Sequence, residues 1–176
     1  MVRESTPPEK ILHRVLVVAA VDGWSVAVLA VLGSLASLLL GDLSGVFVGL
    51  LVFIAGYTEL RGRRRLKRGD ATGMQLLVRA QLLLLSVILV YCVSRLGSFD
   101  AETVMSNLTP ELQAALADAG VARADILPLV RTAFYATYIT VVVVSIIFQG
   151  GLVLYYRSRT GAVRLALATA SAPPVL

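Results

Sequence analysis

Apolar residues fall into four long runs, covering about 15–40, 43–60, 75–96 and 127–156, with polar segments between them. A bilayer crossing takes about 20 helical residues, so each run is long enough to span one. The polar segments differ in kind. Gly41-Asp42-Leu43-Ser44-Gly45 has the composition of a tight turn. The segment 97–125 is polar and net acidic. Within it, Asp100 can cap a helix with Val104, Met105 and Leu108 on its apolar side. Thr109-Pro110-Glu111 can open a second, lined by Leu112, Ala115 and Leu116 and stopped by Gly120. The pattern therefore predicts an all-α, polytopic membrane protein: a four-helix transmembrane bundle with two short amphipathic helices in the extracytoplasmic loop between spans 3 and 4. Residues 1–160 form its single domain, and 161–176, rich in Ala and Pro, are expected to be a loosely ordered tail.

Small and breaking residues refine the elements. Thr6-Pro7-Pro8-Glu9 fits a capping box with proline at the first helical position. Gly23, Ala27, Ala30, Ser34 and Ser37 share one face of the first span, and Gly45, Gly49 and Gly56 share one face of the second. Such faces let another helix backbone approach closely. The basic residues after Leu60 should prolong the second helix by a turn or two, Gly69 should stop it, and Asp70 should cap the third.

Charge orients the bundle. Arg61, Arg63, Arg64, Arg65, Lys67 and Arg68 crowd one interspan loop, and an Arg or Lys at a bilayer centre costs about 2.5–3.5 kcal/mol on insertion scales. Placing this loop and both termini in the cytoplasm leaves only Arg95, Arg123 and Arg131 of the 16 Lys and Arg residues outside. The positive-inside rule thus accounts for the net charge of +5 without a nucleic-acid partner. The expected location is a bacterial plasma (inner) membrane, crossed several times. The same loop is a candidate contact for anionic lipids, since clustered cations near a membrane gain about 1 kcal/mol each.

Chemistry-bearing residues are few. One cysteine, Cys92, and one histidine, His13, exclude an intrachain disulfide, a CxxC pair and an HExxH zinc site. No metal or cofactor is expected. A carboxylate within a span is a functional candidate by default, and Asp22 is the one that stands out. Depth along the helices groups it with Arg79, Gln149, Glu59 and Tyr57 as an inner-leaflet polar cluster, in which an Asp22–Arg79 ion pair would fasten two helices. Arg131, Tyr135, Tyr138, Ser145 and Gln149 form a polar stripe along the fourth span. Gln81 and Ser86 stand out only as polar exceptions in the third span, and Tyr155-Tyr156-Arg157 as an interfacial anchor.

Nothing here makes an enzyme, because neither a catalytic carboxylate pair nor a Gly-rich phosphate loop is present. The expected function is that of a non-catalytic membrane component acting through helix packing and protein partners, another membrane protein or further copies of itself. The alternative is a small oligomeric channel or transporter using the polar cluster around Asp22.

Overall fold

The computed structural model describes residues 7–100, 109, 111, 114, 115, 118 and 123–171. Four long helices make up the described chain: α1 (Pro8–Leu39), α2 (Leu43–Lys67), α3 (Gly73–Gly97) and α4 (Arg123–Ser171). There is no strand among the described residues, and all four helices are long and apolar enough to cross a membrane. Most residues of the two amphipathic helices expected in the 97–125 segment lie outside the described ones; of the second, Glu111, Ala114, Ala115 and Asp118 are described and are helical.

The helix ends follow from local chemistry. Pro8 takes the first position of α1, where its missing N–H is no loss. The N-cap is Pro7 rather than Thr6 and forms no side-chain cap, so the capping box is not what starts this helix; Thr6 itself lies outside the described residues. Asp42 caps α2 by accepting from the backbone N–H groups of Ser44 and Gly45, at 3.1 and 3.2 Å. The basic run does prolong α2, as far as Lys67, where cations suit the negative end of the helix dipole. Gly41 and Gly69 close the two turns at φ of 71° and 84°, a conformation that disfavours any side chain.

Between α2 and α3, Asp70 Oδ1 accepts from the Thr72 hydroxyl at 2.6 Å and the Thr72 N–H at 2.8 Å. These bonds, and then the nearby Arg65 guanidinium, hold the Asp70 carboxyl below the usual carboxylate range. Their stabilisation is present above the ordinary aspartate range and is lost as pH falls through the lowered value.

Two compact units divide the described chain, residues 1–87 with 145–176 and residues 88–144. The first has a core of Val15 and Ala19 from α1, Leu66 from α2, Met74 and Leu77 from α3, and Tyr156 and Val163 from α4. The presence of Val163 is a departure from expectation. Helix α4 does not end near 160 but continues to Ser171, with Val163 and Ala166 buried. Gln149, Val153, Tyr156, Val163 and Ala166 are all buried at helical spacing, so the apolar face of α4 persists through a stretch whose small, Ala-rich composition reads as a tail.

The second unit holds aromatic packing. Phe134 lies 4.7 Å from Tyr138 and 5.0 Å from Phe99 between ring centroids, and Tyr91 meets Tyr138 edge-on at 6.2 Å. Arg95 and Arg131 stack over Tyr91 and Tyr135 at 5.4 and 5.8 Å.

Candidate functional site

The small-residue faces of α1 and α2 pack against each other inside the chain. Positions at matching distances from the Gly41-Asp42 turn meet: Ser37 with Gly45, Ser34 with Gly49, and Gly23 and Ala27 with Gly56. At Gly56 a Cβ would lie 3.0 Å from the Ala27 nitrogen and 3.1 Å from the Gly23 oxygen, so the two backbones touch. This register carries Asp22 and Glu59, one turn or less beyond, to the same level. A second close approach, Gly62 against Gly73, sets α2 on α3 and brings Gln81 opposite Glu59. The apolar core around Leu66, Met74 and Val163 then seats Tyr156 of α4 beside them.

One polar side chain from each helix thereby meets in the interior. Gln81 Nε2 donates to Asp22 Oδ2 at 2.5 Å and to Glu59 Oε2 at 2.9 Å. The Tyr156 hydroxyl donates to Glu59 Oε1 at 2.7 Å. Asp22 Oδ2 and Glu59 Oε2 therefore converge on one amide nitrogen. Glu59, Gln81 and Tyr156 are at most 1% exposed, and Asp22 is 9% exposed. Gln81 Oε1 is buried with no partner among the described residues.

Some of the residues expected at this site are here, and others are not. Asp22 and Glu59 come together. Arg79 does not join them: its side chain is exposed, and Asp22 bonds to Gln81 instead of forming the expected ion pair. A guanidinium two residues before Gln81 points from a different face of α3, where it escapes desolvation. Tyr57 is 49% exposed on the opposite side of α2 from Glu59. Gln149 is buried, but its Oε1 has no partner among the described residues, and Tyr156, seven residues further along the same face, makes the contact in its place. Gln81 and Tyr156 are thus the two members that sequence reasoning passed over. The available signals were a mid-span amide in α3 and the continuation of the fourth-span face beyond Gln149.

The fourth-span stripe divides in character. Tyr135 and Tyr138 pack in the aromatic cluster with Phe99, Phe134 and Tyr91, and Arg131 is exposed. Ser145 and Gln149 are each 8% exposed. In the basic segment, Arg63 Nε donates to the Leu16 carbonyl at 3.0 Å and Arg65 faces Asp70 and Thr72. Arg61, Arg64, Lys67 and Arg68 are exposed.

The cluster's donors, Gln81 Nε2 and the Tyr156 hydroxyl, are spent on its own two carboxyl groups across four helices. Among the described residues no three His, Cys, Asp or Glu side chains gather as metal ligands. Removing the one hydroxyl of the cluster isolates its share: Tyr156→Phe is expected to lower stability by about 1 kcal/mol, the scale of an interhelical hydrogen bond in a membrane bundle. Unfolding in detergent, followed by circular dichroism, measures this loss. No protein-family model matches this chain, and neither a curated protein nor a solved structure is significantly similar to it.

Proposed function

We infer that this chain is a non-catalytic, multi-pass membrane component whose four spans are keyed together by the Asp22–Glu59–Gln81–Tyr156 clasp. The observation that carries this reading is the closure of the clasp. Its members are at most 9% exposed and bond mainly to each other, which is the arrangement of a fastening rather than of a site open to a solute. The small-residue faces of α1 and α2 are occupied within the chain, so contact with a partner or a further copy falls to other surfaces. The orientation is both termini and the 61–68 segment in the cytoplasm of a plasma membrane, following the distribution of cations. There the exposed Arg61, Arg64, Lys67 and Arg68 meet anionic head groups. An apolar groove of about 620 Å³ between α1 and α4, with His13 and Arg14 among its lining residues, suits an acyl chain beneath the same head groups.

Two experiments test the reading. Single cysteines introduced by Arg64→Cys and Gln113→Cys, in a Cys92→Ala background, should label from the cytoplasmic and outer sides respectively; the opposite pattern rejects the orientation. Liposomes containing the purified protein should pass no more protons, sodium or potassium than empty liposomes. Flux that disappears in Asp22→Asn would establish the transporter instead.

A further inference from the structure

We propose that Asp22 and Glu59 form a proton-binding site, the two carboxyl groups sharing one exchangeable proton within the four-helix clasp. The arrangement needs a proton to be consistent. Two carboxylates held on one amide nitrogen repel, and in a water-poor interior a proton shared between them relieves that repulsion. The cations that could replace it are turned away. Arg14 on α1, Arg61 on α2, Arg79 on α3 and Arg157 on α4 are all exposed, and Arg63 is engaged with the Leu16 carbonyl. None of them makes an ion pair with Asp22 or Glu59. The remaining groups facing the pair are Gln81, which is neutral, and Tyr156, which donates its hydroxyl to Glu59.

The second observation is the orphan acceptor. Gln81 is 0% exposed, both of its donor hydrogens are committed to the carboxyl groups, and its Oε1 has no partner among the described residues. Buried acceptors are rarely left so, and an unexplained one marks a missing donor. An acid carrying a proton supplies such a donor: its O–H serves the other carboxylate while Nε2 faces the pair, or Gln81 Oε1 once the amide rotates and withdraws Nε2. Asp22 is the least buried member of the cluster, so the exchanging proton enters and leaves at its carboxyl group. No bond other than O–H is made or broken: the proton leaves water for a carboxylate oxygen and returns by the same route. Loss of the proton leaves two adjacent negative charges on α1 and α2, so unloading loosens the clasp. The bundle is stable while loaded and weakens as rising pH empties the site.

Infrared difference spectroscopy of the full-length protein in liposomes reads the proton directly. At neutral pH the wild type should show the carbonyl stretch of one buried, protonated carboxylic acid, shifted on exchange into deuterium oxide. Raising the pH should remove that band, and its loss should coincide with a fall in thermal midpoint. In Asp22→Asn and in Glu59→Gln the band should shift or vanish, and the midpoint should become independent of pH over the same range. A folded wild type with no protonated carboxyl band at neutral pH overturns the proposal even if neither variant folds. So does a band unaffected by both substitutions. The clasp reading stands or falls separately, on ion flux, which this spectrum does not report.

Discussion

Replacing Gln81 with leucine is expected to destabilise the bundle by about 3 kcal/mol, among the largest effects of any single substitution in the chain. The amide gives one hydrogen bond to each of two buried carboxyl groups. With one proton shared between the carboxyl groups, the bond to the charged member contributes about 2 kcal/mol and the bond to its neutral neighbour about 1 kcal/mol, against about 0.6 kcal/mol for an average interhelical bond in a membrane protein. Leucine fills much the same volume, so the loss is electrostatic rather than a cavity. Glu59→Leu alone is also costly, because it strands the Tyr156 hydroxyl and one donor of Gln81. Replacing Asp22, Glu59 and Gln81 together by apolar residues should recover much of the stability, as replacement of whole buried polar networks commonly does. The check is a set of single, double and triple variants compared by reversible unfolding. Equal, additive losses would show that the three side chains do not act as a unit.

The same cycle separates the clasp from the ion pair suggested by the sequence. Asp22 and Arg79 should behave additively, since Arg79 is exposed and makes no bond to Asp22. The difference between the two readings shows what hydrophobic pattern conveys. Depth along each helix was legible: Asp22 and Glu59 lie at nearly matching distances from the Gly41-Asp42 turn, and they do meet. Rotation about each helix axis was not. Arg79 and Gln81 are two residues apart, about 200° around α3 at 3.6 residues per turn, so a correct depth still left the wrong one facing inward. Leucine and valine cover the lipid-facing and core-facing sides of a span alike, which removes the contrast that marks the buried face of a soluble helix. In α1 and α2 the small residues carried that information instead. Their faces were visible in the sequence; what they packed against was not, because a glycine face admits another helix of the same chain as readily as a partner's.

Those faces support the other large effect. Gly56→Leu is expected to destabilise the bundle by about 3 kcal/mol, at the upper end of overpacking costs. Even a Cβ there would stand 3.0 Å from the Ala27 nitrogen and 3.1 Å from the Gly23 oxygen, both backbone atoms that cannot rotate away. A whole leucine side chain must therefore force α1 from α2. Gly73→Ala acts at the second hinge of the register: its Cβ would sit 2.5 Å from the Gly62 oxygen, so α2 and α3 must shift as well. Either shift also disturbs the polar cluster, because Asp22, Glu59 and Gln81 are aligned by these two approaches. Gly33→Ala and Gly151→Ala are the controls. Nothing lies within 4 Å of a Cβ at either position, so alanine should be neutral there or slightly stabilising through its better helix propensity. Thermal unfolding in detergent ranks the four variants. If Gly56→Leu unfolded no earlier than Gly33→Ala, the α1–α2 contact could not be the element that sets the clasp in register.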